Sequence, residues 1–221
     1  MIPYWMSRTQ LMLGDAPIEA LMSKNVLVVG LGGVGGICAE MIARAGVGKM
    51  TIVDNDIVDE SNINRQIQAL QSTVKQPKAQ VLAARLKDIN PELDLTVMEV
   101  YIKEKITIDL VEKEKWDYIV DCIDTLSSKV FFIKACIDRS LPLVSSLGAG
   151  GKVDPSQVEV TDISKTHECN LAKYVRKRLH SLGIYKGLKV VFFVFALQFT
   201  FAQQKKITGT ILDNAGMPLP G

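Results

Sequence analysis

The sequence predicts an α/β fold, a Rossmann-like open and mostly parallel sheet with helices on both faces. Three observations predict it. Residues 26–30, VLVVG, are an apolar run too short for a buried helix, and they lead straight into a glycine-rich turn. Two more apolar runs, 49–56 and 117–124, end in carboxylates, as buried parallel strands do when they reach a ligand crevice. Helical patterns separate these runs, and 221 residues at 48% hydrophobic content suffice for one sizeable core.

Each element has its own signal. After the strand at 26–30, ICAEMIARA (37–45) places apolar side chains at helical spacing until Gly46 and Gly48 stop the helix. KMTIVDND (49–56) closes a βαβ unit. A helix opened by Pro77 runs over 77–89 and ends before Asn90-Pro91. LDLTVMEVYI (93–102) alternates and reads as a strand, and DYIVDCID (117–124) reads as a buried one. SSKVFFIKACIDRS (127–140) is a helix, LPLVSSLGAGG (141–151) a strand, and 158–163 a shorter strand. In such a sheet Gly32, Asp54, Asp56, Asp124 and Ser146 fall at or just after strand ends, so they should converge on one crevice.

Composition narrows the function. A net charge of +2 excludes a bulk polyanion binder, yet residues 165–189 hold seven Lys or Arg against one acid, Glu168. Any nucleic-acid surface is therefore local. The four cysteines (Cys38, Cys122, Cys136 and Cys169) form no C-x-x-C pair, which argues against a disulfide framework and a structural zinc. The N-terminus has no cationic stretch followed by an apolar run, so a reducing cytoplasm is expected.

Gly30, Gly32 and Gly35 satisfy G-x-G-x-x-G between a strand and a helix. Such a turn brings backbone N–H groups against a phosphate at a helix N-terminus. Asp54, about twenty residues on, stands where an acid accepts hydrogen bonds from ribose hydroxyls. A dinucleotide would be the plain reading. However, Arg65 and Lys78 follow with the amides Asn62, Asn64 and Gln66, and two cations beside the crevice suit a triphosphate whose leaving groups need neutralising. Asp124 at a strand tip then becomes a candidate Mg²⁺ ligand.

The stretches GLGGVGG, DNDIVDESNINRQ, KAQVLAARLKDINP and VDCIDT, in this order, resemble the ThiF/MoeB and ubiquitin-activating-enzyme-like adenylyltransferases. The resemblance runs from about Tyr4 to Val191. SRTQLMLGDAPIEAL, GAGGKVDP and VTDISKTHECNLAKYVRKRLHSLGI are similar to the tRNA-modifying dehydratases of that group, and the missing C-x-x-C pairs agree. The resemblance implies ATP and Mg²⁺ as cofactors and tRNA, not DNA, as partner. Gly30, Gly32, Gly33 and Gly35 would line the ATP phosphates, Asp54 would take the ribose, and Asn62, Arg65 and Gln66 would lie over the triphosphate beside Lys78. Asp124 would organise the metal, with Arg65, Lys78 and Asp124 as the catalytic set. Arg8 would reach the ATP of a partner subunit, which implies a homodimer, and a cysteine desulfurase or sulfur acceptor would be a further partner. The implied reaction is ATP-dependent activation of the carboxylate of N6-threonylcarbamoyladenosine at tRNA position 37, followed by cyclisation with loss of water. The alternative within the fold adenylates the C-terminus of a sulfur-carrier protein. An NAD-dependent oxidoreductase would leave Arg65 and Lys78 unexplained, and a non-catalytic scaffold is the third alternative.

NLAKYVRKRLHSLGI places Leu171, Val175, Leu179 and Leu182 on one helical face and Lys173, Arg176, Lys177 and His180 opposite. With Lys165, Lys173, Arg176 and Lys177 this becomes the expected tRNA surface. His167 and His180 read as surface or RNA-facing groups, and Cys169 as either a loop cysteine or a sulfur-handling thiol. The expected domain is 1–191. Beyond it, 192–221 reads as an unrelated tail: Lys189 and the apolar run from Val190 to Leu197, followed by TFAQQ, resemble a secretory signal peptide, and KKITGTILDNAGMPLPG resembles the opening of the carboxypeptidase-regulatory-like domain of TonB-linked receptors. A C-terminally truncated fold is the consequence, with a membrane-associating segment as the alternative.

Overall fold

Seven strands form one sheet in the order β3-β2-β1-β4-β5-β7-β6. This is a computed structural model, and it describes residues 2–150 and 154–193. The strands are β1 (Asn25–Val29), β2 (Lys49–Val53), β3 (Asp94–Met98), β4 (Tyr118–Asp121), β5 (Leu143–Ser146), β6 (Val158–Asp162) and β7 (Lys189–Phe193). All neighbours pair in parallel except β6 and β7, which are antiparallel. The helices are α1 (Ser7–Leu13), α2 (Asp15–Met22), α3 (Gly35–Arg44), α4 (Lys78–Ile89), α5 (Glu104–Glu112), α6 (Leu126–Asp138) and α7 (Asn170–Ser181).

The continuous apolar strands are explained by burial on both faces. In β1, Val26 and Val28 pack with Ala39, Ala43 and Leu82 of α3 and α4. Leu27 and Val29 pack with Leu110, Phe132 and Val175 of α5, α6 and α7. Period-two alternation thus divides one strand between two cores, as the crossover helices of parallel sheets require. Strand order reverses between β1 and β4, so the crevice opens beyond the carboxyl ends of these strands.

The expected fold class is the observed one, and a 3-10 turn, helices α1, α2 and α5 and strand β7 add to it. Residues 4–22 carry a 3-10 turn, α1 and α2, and α5 lies within 104–112, where no helix was expected. Strand β7 is the instructive case. The boundary expected at Val191, with 192–221 as an unrelated tail, falls inside this strand, Lys189–Phe193. Instead β7 lies between β5 and β6, Val190 and Phe192 are fully buried, and among the described residues β6 has no other strand partner. Ordered sheet therefore continues two residues past the expected boundary at Val191. The rest of the expected tail, from residue 194, lies outside the described residues. Among the described residues no helix is long and apolar enough to cross a membrane.

Candidate active site

The glycine turn divides its labour. Gly30 has φ +85°, and a Cβ there would meet the Cys122 carbonyl oxygen at 2.7 Å, so a side chain is excluded by both backbone and space. A Cβ on Gly35 would stand 1.7 Å from the Gly30 carbonyl oxygen. These two glycines let β1, β4 and α3 close together. A Cβ on Gly32 would meet nothing within 4 Å, which leaves its backbone open to a ligand. Gly30, Gly32 and Gly33 line the crevice, whereas Gly35 does not.

Asp54 follows β2 and lines the same crevice. Its carboxylate accepts from the Leu31 N–H at 2.6 Å and the Asp56 N–H at 2.8 Å, tying the glycine turn to the loop after β2. Burial nevertheless raises the Asp54 pKa above its ordinary value. One lone pair on each oxygen stays available for hydroxyl donors.

Lys78 opens α4, is nearly buried, and pairs with the largely exposed Asp56 at 2.9 Å. Sequence reasoning placed Asp56 at a strand end without a role, and here it holds the lysine. Arg65 lies over Gly33 and is exposed; its Nη1 donates to the Ser61 carbonyl at 2.8 Å and to Asn64 Oδ1 at 2.9 Å. Gln66 is buried and lines the crevice beside it. Asn62, expected over the triphosphate, is not a lining residue. It is buried, and its side-chain oxygen accepts from the Asp59 N–H at 3.1 Å in a reciprocal cap of the 60–62 turn. Asn62 therefore shapes the loop that carries Arg65. Ser146, a strand-end residue, also stays out of the lining set.

Asp124 follows β4, is exposed, and accepts from Thr125 Oγ1 at 3.3 Å. Beneath it lies a buried ion pair that spacing did not reveal. Lys129 Nζ sits 2.9 Å from Asp121 Oδ2, with both side chains fully buried. The same ammonium donates to the Ile123 carbonyl at 2.8 Å. Asp121 also accepts from the Ile123 N–H at 3.0 Å and the Ser145 hydroxyl at 2.6 Å. Both polar groups of Ile123 are thereby clamped, one residue from Cys122 against Gly30 and one from Asp124 in the crevice. Lysine at 129, directly before the apolar run Val130–Ile133, was the available signal.

Val100, Tyr101 and Ile102 after β3 form one wall, and Thr125 and Ser128 at the start of α6 form another. Ser128 Oγ donates to the Ile102 carbonyl at 3.0 Å and joins them. Gln68, also unforeseen, is buried, and its Nε2 donates to the Leu31 carbonyl. Arg8 is exposed on α1 and does not line the crevice of its own chain.

The four cysteines are free. Cys38 and Cys122 interact, which lowers the Cys38 pKa and raises that of Cys122. Burial pushes Cys136 up to about 12. Cys169 is buried, which does not suit a sulfur-handling thiol. Among the described residues no group of three or more His, Cys, Asp or Glu could hold a metal ion, so a cation here would rely on ligand oxygens as well.

Helix α7 forms as expected, with Ala172, Val175 and Leu179 buried. Leu182, assigned to the apolar face, is exposed because it caps the helix end. Lys165, Lys173 and Lys177 are exposed. Arg176 departs from expectation: its Nη1 donates to the Thr166 carbonyl at 2.6 Å and to the Thr166 hydroxyl, so it is folded back onto the preceding loop. His167 packs edge-on against Phe192, with centroids 5.5 Å apart.

The ThiF family model matches residues 7–215, a span that passes the boundary expected at 191. A tRNA threonylcarbamoyladenosine dehydratase of Bacillus subtilis is 44% identical over 186 residues, covering 84% of this chain and 73% of the relative. Its Escherichia coli counterpart is 39% identical, covering 82% and 68%. The crystal structure of E. coli tRNA N6-threonylcarbamoyladenosine dehydratase in complex with ATP superposes with a TM-score of 0.84 at 36% identity, covering 89% of this chain and 83% of that one.

Proposed function

The chain belongs to the ThiF family, and we propose that it is an ATP-dependent tRNA threonylcarbamoyladenosine dehydratase. One observation carries the reading. A single crevice at the carboxyl ends of β1, β2 and β4 brings the open glycine turn together with Arg65, Lys78 and Asp124. A site of this kind can position a carboxylate against the α-phosphorus of ATP and stabilise the charge on the departing groups.

The residues divide the work as follows. The amide groups of the glycine turn and the N-terminus of α3 take phosphate oxygens, and Arg65 and Lys78 neutralise the leaving pyrophosphate. Lys78 commits one of its donors to Asp56 and keeps others for phosphate. In this reading Asp54 accepts from the ribose hydroxyls. The substrate carboxylate displaces pyrophosphate to give an acyl adenylate, an intramolecular nucleophile of the modified nucleoside then displaces AMP, and the nucleoside is lighter by one water. Among the described residues no enzyme nucleophile is required. A Mg²⁺ ion would be held by Asp124 with phosphate oxygens; a lone exposed carboxylate fits an ion that is usually held by one or two carboxylates and the substrate. That ion would supply charge neutralisation.

We further assign a homodimer in which Arg8 of one subunit serves the ATP of the other. Its support is the exposed apolar stripe of Val34, the N-cap of α3, with Ile37 and Met41 on α3, beside the glycine turn, together with exposed Leu11 and Met12 on α1. A reducing cytoplasm is the compartment that suits four free thiols and a tRNA substrate. Lys165, Lys173 and Lys177 form the tRNA-facing cations in this reading. The test is ATP binding by calorimetry with NAD as control; tight NAD binding without ATP binding would end the adenylation reading.

A further inference from the structure

The folding-back of Arg176 leaves a definite surface on the outer side of α7. Taking 100° per residue, Lys173, Tyr174, Lys177, Arg178, His180 and Ser181 share an arc of about 160° opposite buried Val175 and Leu179. Every residue of this arc is exposed. From Asn170 to Lys189 the sequence contains no Asp or Glu. Tyr174 is 54% exposed within the arc, beside Arg178 and one turn from both Lys177 and Arg178. After the helix, Tyr185 is 62% exposed and lies against the His180 ring, centroids 5.1 Å apart at 37°.

Cations alone would make a phosphate-binding face. Large aromatic rings left in water among those cations are the feature that simple charge does not explain, since a solvated helix face needs none. Rings interleaved with Lys and Arg are what unpaired nucleic acid requires: stacking for the bases and positive charge for the backbone. Duplex RNA offers no free base faces and would use the cations only.

We infer that the outer face of α7 and the turn after it bind an unpaired segment of RNA. Tyr174 and the His180–Tyr185 pair are the stacking surfaces, and Lys173, Lys177, Arg178 and Lys186 neutralise the flanking phosphates. The inference rests on the reading that this chain acts on tRNA. It adds that part of the affinity comes from base stacking, which salt does not screen.

Fluorescence anisotropy on the full chain tests it with two probes, an anticodon stem-loop with its unpaired loop and a fully paired duplex of the same charge. The stem-loop should bind at least tenfold more tightly. Tyr174→Leu and Tyr185→Leu keep apolar bulk but remove the stacking face. Each should weaken stem-loop binding by roughly tenfold, leave duplex binding and ATP affinity unchanged, and leave the salt slope unchanged. Lys177→Glu should lower the slope of log K against log salt by about one on both probes. Equal affinity for the two probes, or wild-type stem-loop affinity in both tyrosine variants, would overturn the inference while leaving the dehydratase reading standing. If the wild-type chain binds neither probe yet binds ATP, the face belongs to a protein partner and the inference falls. ATP turnover that tRNA does not stimulate would instead overturn the functional reading.

Discussion

Replacing Lys129 with Met tests whether the ion pair beneath the crevice is a structural clamp. In the folded chain Lys129 and Asp121 are 2.9 Å apart and both are fully buried. Methionine fills similar volume but leaves the Asp121 carboxylate buried without its counter-ion, and it leaves the Ile123 carbonyl without the donor at 2.8 Å. Breaking a buried pair from one side costs about 3–5 kcal/mol, a large share of the ~5–15 kcal/mol that holds a domain together. Urea melts followed by circular dichroism should show the midpoint falling by about 2 M, for a slope near 2 kcal/mol per M. Asp121→Asn in the same chain removes the stranded charge and should return more than half of the loss, so the double-mutant cycle reports strong coupling. An unfolding free energy for Lys129→Met within about 0.5 kcal/mol of wild type, or additive effects in the cycle, would refute the reasoning.

Other expectations follow from the same geometry. Arg65→Ala and Asp124→Ala should each lower tRNA-dependent ATP turnover by at least ~100-fold with unchanged melting curves, because both side chains are exposed at the crevice and neither is part of the core. Near-normal turnover would place the site elsewhere. Gly30→Ala should destabilise the fold by about 1–3 kcal/mol and weaken ATP binding, since the residue has φ +85° and its Cβ would collide with the Cys122 carbonyl; thermal melts and calorimetry read the two effects. Glu40 is held below the ordinary value of 4.5, first by the hydrogen bond from Arg85, against an opposing desolvation, with Arg44 adding to the shift. A depressed folded pKa means its contribution is present above about pH 4.5 and is lost as pH falls through the folded value. Glu40→Gln should therefore lose less stability than wild type between pH 5 and 3, as measured by urea midpoints across that range.

The sequence made the chemistry-bearing residues legible where local spacing creates the function. A strand running into glycines, and carboxylates closing apolar runs, placed Gly30, Gly32, Asp54 and Asp124 on one crevice because parallel strands deliver their ends to one edge. What escaped depends on long-range pairing. Ser128 meets the Ile102 carbonyl from 26 residues away, and Asp121 meets Ser145 across 24. No periodicity encodes such contacts. Asn62 and Arg176 were legible as polar groups but not as structural ones, since the cap on Asp59 and the turn at Thr166 form only on folding. Strand β7 was missed for a related reason: a short apolar run reads alike as a buried strand and as a hydrophobic leader until its partners are known. The stripe on α7 was half legible, its cations from charge and its exposed tyrosines only from packing.

The central claim is that ATP drives water loss from a modified nucleoside on tRNA. Its most direct test incubates the purified chain with ATP and tRNA bearing threonylcarbamoyladenosine, then digests the tRNA for mass spectrometry while pyrophosphate and AMP are counted. The account predicts a nucleoside lighter by one water, formed only when ATP is present, with one AMP and one pyrophosphate released for each. Conversion without ATP, or ATP cleaved to AMP with the nucleoside unchanged, would contradict it.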